Sequence, residues 1–140
     1  MVKRDLNTEE TEFLSTRRVG RLATVSQTNA PQVTPVCYAI MDECLYIRAA
    51  KETMKVKNVR NNPNVAMVVD DYHENWSLMK GMVVAGLASI LMEGEEYRRA
   101  RDALVEKYEQ YRKLYPIVET EVPILKISVL KTRKWDYSGS

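Results

Sequence analysis

The chain is poor in the side chains on which much protein chemistry relies. It holds one histidine, His73, and two cysteines, Cys37 and Cys44, with no Cys-x-x-Cys pair in 140 residues. A histidine-based zinc site therefore lacks ligands, and Cys-His or Ser-His catalysis would have to run through His73 alone. That residue stands in a polar stretch, residues 70–76, of the kind that forms a solvated loop. Two cysteines in apolar segments make no disulfide framework. Flanking a short turn, they are expected to be reduced packing residues of a cytoplasmic protein. Neither a Gly-x-Gly-x-x-Gly nor a Walker motif is present. No apolar run approaches the ~20 residues that a membrane span needs, and the opening residues 1–5 are polar, without a secretory core. An excess of one charge is missing as well. The 21 Lys+Arg and 19 Asp+Glu leave a net +2, too balanced for a dedicated nucleic-acid binder. Neither nucleic acid nor membrane is an expected partner.

What the chain does have is apolar content, 45% of residues, and a length that fits one domain over residues 1–140. Asn7 and Glu10 form a capping box for a first helix, with Arg17 and Arg18 in its last turn. Strands are expected over 19–28, 33–41 and 44–48. Pro35 makes the second of these an edge strand or a bulged one. A two-turn helix begins at Thr53 with Val56 and Val59 facing inward, and residues 61–64 stop it. Strands 65–69 and 80–92 follow, with Gly81 and Gly86 marking bends or bulges. The segment 94–115 reads as the main helix, with Tyr97, Ala100, Leu104, Tyr108 and Tyr111 on its inner face. Pro116 ends it, and a last strand covers 123–135. Tight turns between successive strands point to a mainly β, antiparallel barrel with helices at its margins.

The strongest charge feature runs from Arg48 to Arg60. Arg48, Lys51, Lys55, Lys57 and Arg60 face a single acid, Glu52. The run enters a helix N-terminus, where backbone N–H groups, the helix dipole and the Thr53 hydroxyl favour an anion such as phosphate. A solvated, lysine-rich helix face is the other reading of the same pattern. Trp76, Trp135 and the tyrosines of 97–115 are each read first as core, rim or subunit-contact residues.

Several stretches in order resemble the flavin-binding split-barrel proteins related to pyridoxamine 5'-phosphate oxidase, and within them the branch of probable deazaflavin-dependent oxidoreductases. They are residues 18–25, 31–36, 55–65, 69–77 and 86–88, together with Trp135. The resemblance implies an antiparallel split barrel that dimerises, with a flavin in each groove between subunits. It places Thr34, Pro35 and Val36 along the ring, and Tyr46, Ile47 and Arg48 beside the ribityl chain. Thr53 and Lys55 match the hydroxyl-x-Lys pattern at the phosphate, with Lys51 and Lys57 adding charge. Trp76, Lys80 and Trp135 approach the ring from the second subunit. Many relatives carry Arg just before the lysine that matches Lys55. Here that position is Met54, so a bidentate guanidinium clamp is absent from it. The cofactor expectation is FMN or a deazaflavin. The implied activity is hydride transfer between that cofactor and a small organic substrate, the ring doing the chemistry. No catalytic residue is assigned beyond the candidates Tyr46 and His73. A non-enzymatic flavin- or haem-binding module, and a barrel binding a macromolecule through residues 48–60, are the competing classes.

Overall fold

Asn7 closes the capping box expected of it. Its side chain accepts the Glu10 N–H at 2.8 Å, and Glu10 accepts the Asn7 N–H at 2.9 Å. Helix α1 (Thr8–Ser15) follows. Arg17 and Arg18 lie beyond it rather than in its last turn. Arg17 still reaches back to donate to the Phe13 carbonyl at 3.2 Å, so a cation does meet the helix C-terminus. These features come from a computed structural model that describes residues 4–137. Residues 1–3, part of the polar opening, and 138–140 lie outside the described residues.

The strands are β1 (Gly20–Val25), β2 (Pro31–Val36), β3 (Ala39–Met41), β4 (Cys44–Arg48), β5 (Asn64–Asp71), β6 (Lys80–Leu91) and β7 (Ile124–Asp136). Helix α2 (Met54–Asn61) precedes β5 and α3 (Glu95–Lys107) precedes β7. All pairings are antiparallel, in the order β2-β1-β5-β6-β7-β4-β3. Laid flat, seven strands at ~4.8 Å spacing would hold β2 and β3 roughly 29 Å apart. Only Cys37 and Tyr38 separate Val36 from Ala39, a reach of at most ~11 Å. The sheet therefore curls until its two edges nearly meet, and the result is a split barrel with Cys37 and Tyr38 crossing the split. The single strand expected over 33–41 is thus two strands on opposite edges. Pro35 lies in β2, which among the described residues pairs with β1 alone, so the strand is the edge strand that its proline led one to expect.

Alternation sorts the side chains. Leu22, Met67, Val69, Met82 and Val84 fill the barrel. A second core lies between the sheet and α3 and contains Tyr97, Ala100 and Leu104. Strand β4 is buried on both faces: Leu45 and Ile47 point into the barrel, Cys44 and Tyr46 toward α3. Gly86 sits at the β6–β7 bulge, where a methyl group would collide with the Ser128 carbonyl. Gly81 lies in regular pairing, so only one of the two expected bends is a bulge.

The outer face of the sheet is unusual in its chemistry. Across the register, Val33, Ala23, Ala66 and Ala85 form one row, and Pro35, Arg21, Val68 and Val83 the next. Arg21 is the single charge among these eight, and on β7 the two rows end at Lys131 and Arg133, so the apolar part is a patch edged by cations on a face that normally carries polar residues throughout.

Helix α3 stops at Lys107, well before Pro116. Tyr108 adopts extended backbone, φ −126° and ψ 99°. Its hydroxyl lies 2.7 Å from the Arg18 carbonyl and 3.0 Å from that of Tyr38, and it accepts the Tyr38 N–H at 3.1 Å. Those partners across the split outweigh continued helix, and a 3-10 turn, Glu109–Arg112, takes over. Tyr38 is itself fully buried and donates its hydroxyl to the Leu14 carbonyl. Tyr38→Phe strips that carbonyl of its partner and is expected to cost about 1 kcal/mol in urea unfolding, with an unchanged midpoint as the contrary result.

Candidate cofactor site

Arg48 ends β4, opposite Ile124 on β7. The chain then turns, with Ala49 N–H donating to Pro123 O at 3.1 Å and Thr53 N–H to Ala50 O at 3.1 Å, and enters α2. The Arg48 guanidinium carbon is 5.9 Å from the ring centroids of both Tyr111 and Tyr115. Its Nε is buried and has no hydrogen-bond partner among the described residues. Lys55, on the first turn of α2, holds its proton less firmly than an ordinary lysine, first because it is partly buried and then because the Arg48 charge is near. Neither cation makes an ion pair with any described carboxylate. Two neighbouring positive charges that lack an acid repel one another and lose hydration, so the place is built for an anion.

The helix entry adds donors. Thr53 is the N-cap residue, yet its side chain caps nothing. Its hydroxyl donates instead to the Ala50 carbonyl at 2.8 Å. The first-turn N–H groups of α2 are left open, while the expected Thr53 hydroxyl is already committed. Met54, in place of a guanidinium, is 52% exposed. Lys51 and Lys57 are exposed around the same turn.

The other expected residues fall in different places. Thr34 and Pro35 reach the surface of β2, and Val36 is buried. Tyr46 and Ile47 turn their side chains into the two cores, so Arg48 is the only one of the β4 trio whose side chain reaches the site. The Tyr46 hydroxyl donates to Glu96 at 2.7 Å beneath α3, and burial together with that bond raises its pKa far above the usual phenol range. It is no proton donor to an outside ligand. His73 lies exposed in the β5–β6 loop and its Nδ1 accepts the Asn75 N–H at 3.0 Å. Trp76, 65% exposed, opens a 3-10 turn in the same loop.

A second locus gathers around Trp135. Its indole lies against Gly81, where any side chain would strike the ring. Beside it opens a cleft of about 510 Å³ walled by Phe13, Arg17, Lys80 and Trp135. Arg17 is held there by Asp71, at 3.2 and 2.5 Å, and sits 4.0 Å over the Phe13 ring. Lys80 lies 5.9 Å from the same ring.

Arg48 and Trp135 are at opposite ends of β7, which pairs Ile124 with Arg48 and Trp135 with Gly81. At ~3.3 Å per residue the strand between them is roughly 36 Å long. One chain does not bring the two loci to one ring. Tyr111 and Tyr115 are neighbours of Arg48 that the sequence reading missed: their four-residue spacing resembles a helix face, and only the early end of α3 swings them toward β4. Among the described residues no group of three or more His, Cys, Asp or Glu could hold a metal, and no helix is long and apolar enough to cross a membrane.

Comparison with known proteins agrees with the architecture. The family described as pyridoxamine 5'-phosphate oxidase matches residues 6–136. The conserved hypothetical protein Rv2991 of Mycobacterium tuberculosis superposes with a TM-score of 0.81 at 23% identity, over 96% of this chain and 87% of that one. A FAD-binding protein of Mesorhizobium loti gives 0.73 at 25% identity, over 96% and 97%. The haem storage protein HutZ of Vibrio cholerae gives 0.77 at 15% identity, over 95% of each chain. No curated protein sequence matches significantly.

Proposed function

The chain belongs to the pyridoxamine 5'-phosphate oxidase family, and from that premise we propose that it binds a phosphorylated flavin-type cofactor, FMN-like or deazaflavin, between two copies of itself and serves as an oxidoreductase. The observation that carries this reading is the acid-free pair of Arg48 and Lys55 at the uncapped start of α2, with the Arg48 Nε buried and unpartnered. Such a place fits a phosphate, which accepts hydrogen bonds and cancels both charges. When bound, a flavin supplies hydride transfer to or from a small organic substrate. The chain's own part is to hold the anionic end with Arg48, Lys55 and the first-turn amides. A partner's Trp135–Lys80 cleft would shield the other end from water. The FAD-binding relative supports a flavin.

A haem is less well served. The sole imidazole accepts a backbone N–H at Nδ1, which leaves the neutral ring's proton on Nε2, the outward nitrogen that would have to meet iron. Two free thiols, Cys37 and Cys44, support a reducing, cytoplasmic setting.

The dimer rests on the separation of the two loci and on the alanine–valine rows of the outer sheet face. In a twofold pair, one copy's Arg48 end can meet the other's Trp135 end, and the face is covered. Ala66→Glu places a charge at the middle of that face, twice per dimer. The expected result is a folded monomer at micromolar concentration that no longer retains cofactor; a dimer that persists, or a monomer with undiminished flavin affinity, would overturn the shared site. The decisive measurement for the cofactor is mass spectrometry of what the purified protein releases on denaturation, with titration of FMN and deazaflavin into emptied protein. A released flavin is expected. A porphyrin, or no binding at micromolar levels, would overturn the reading.

A further inference from the structure

The loop between β5 and β6 is ordered by its own bonds, yet it turns its largest side chains to solvent. Asn75 holds the frame. Its side chain accepts the Ser77 N–H at 3.2 Å and the Ser77 hydroxyl at 2.8 Å, and its carbonyl accepts the Leu78 N–H at 3.0 Å. Met79 N–H donates to Trp76 O at 3.1 Å. On that frame Tyr72, Trp76 and Leu78 are 66, 65 and 54% exposed. Single exposed apolar residues are ordinary. Three large ones on one short, preformed loop mark a surface that another body covers.

Resting on the twofold pairing proposed for the cofactor site, we infer that this loop docks on the partner copy's turn at residues 109–115 and seats Trp76 beside the exposed leucine there, Leu114. The two features stand at the ends that such a pair brings together. The loop is at the Trp135 end, where Lys80 pairs with Asp136 and Tyr137 N–H donates to Met79 O at 3.3 Å. The turn is at the Arg48 end, with Tyr111 and Tyr115 each 5.9 Å from the guanidinium carbon. Leu114 is the most exposed large apolar residue among those described, at 69%. A cleft of about 290 Å³ opens beside it, between Gln110, Arg112 and Lys113, and offers a seat for one large side chain. Charge agrees with shape. Arg112 and Lys113 outnumber Glu109 at the cleft, while Glu74 on the loop is an exposed acid that would approach them. A twofold axis makes the contact twice, so the apolar ends of both copies are covered.

The test reads Trp76 in cofactor-free protein, as the difference in fluorescence between the parent and Trp76→Phe. Trp76 and Leu114 are surface residues of the single chain, so variants at either should fold. In the parent dimer Trp76 is expected to emit as a buried indole and to resist quenching by acrylamide. Leu114→Glu should expose that indole and weaken the dimer roughly ten-fold or more. The monomeric Ala66→Glu variant should expose it likewise. A dimer whose Trp76 is freely quenched, or is shielded only after FMN is added, would overturn the inference and leave the shared cofactor site standing. Shielding that survives Leu114→Glu would overturn it too, because the loop would then rest on another part of the partner. A parent protein that is monomeric at micromolar concentration would overturn the pairing and this inference with it.

Discussion

Replacing Arg48 with methionine is expected to weaken flavin binding and, at the same time, to stabilise the cofactor-free protein. The two effects share a cause. In the free protein the Arg48 Nε is buried without a partner, a state that costs about 1–3 kcal/mol. Lys55 is meanwhile held near a like charge and partly out of water. Methionine keeps the length of the stem that packs beside Tyr111 and removes both penalties. The unfolding free energy should therefore rise by about 1 kcal/mol once lost contact with the tyrosine rings is set against the gain, and the urea midpoint with it. Binding loses a charge-assisted, two-pronged contact worth about 1.5–3 kcal/mol, or roughly ten- to a hundred-fold in Kd. Lys55→Met should act in the same direction. The double variant should lose less than the two single losses combined, because both side chains hold one anion. Alkaline solution offers a second check. A lysine whose proton is held loosely surrenders its charge at a lower pH than an ordinary one, so affinity should fade sooner than free-lysine chemistry predicts, and Lys55→Met should remove that early decline. Loss of stability in Arg48→Met, or an unchanged Kd, would show that Arg48 is a packing residue and that the phosphate lies elsewhere.

The residues of this site differ in how far their sequence betrays them. Arg48, Lys55 and the helix entry were legible, because a run of cations against one acid needs no tertiary information to be noticed. The barrel was legible too. Turn residues such as Asn29 and Asp42–Glu43, all with positive φ, separate short apolar runs and permit only tight antiparallel connections. Residues 33–41 concealed their division, since both halves look extended and only the curling of the whole sheet decides that Val36 and Ala39 belong to opposite edges. The end of α3 was hidden for a related reason. Helical spacing continues through Tyr111, but the Tyr108 hydroxyl has partners at Arg18 and Tyr38, some 90 and 70 positions away. Cys44–Ile47 shows the opposite ambiguity. A continuous apolar run signals burial on both faces, and that already argues against the Tyr46 and Ile47 side chains as ligand contacts; the family resemblance placed the two beside the ribityl chain, where their backbone alone is left to take part.

Glu10→Gln is expected to bring the largest loss of stability among these substitutions, and a loss with a pH signature. The Glu10 side chain is 2% exposed, and its carboxylate receives four hydrogen bonds: two from the Arg4 guanidinium at 3.1 and 3.0 Å, one from Asn7 N–H at 2.9 Å and one from the Thr132 hydroxyl. It thereby ties the N-terminal segment, α1 and β7 together, far from Arg48. Burial opposes the charge, but Arg4, Thr132 and Asn7 outweigh it and hold the pKa at about 2, against an ordinary 4.5. A carboxyl depressed in this way stabilises the fold fully above its unfolded value and loses that contribution as pH falls through the folded one. The window is therefore about pH 4.5 down to 2. Glutamine keeps the size but presents an amide N–H₂ to donors that have nowhere else to turn. Arg4 is 39% exposed and regains water, which discounts its share of the loss. Asn7 and Thr132 do not recover so easily, and the total is about 2–3 kcal/mol. Urea unfolding of the two proteins at neutral pH and in acid measures both parts. The variant should be less stable at pH 7 and should weaken less than the parent between pH 5 and 3. It still weakens there, because Asp71 and Glu96, also held below their ordinary range, lose charge as the pH falls. The gap between them should close toward pH 2. A parallel decline in both proteins would place the acid sensitivity at other carboxylates, of which Asp71, held below its ordinary range by Arg17, is the next to test.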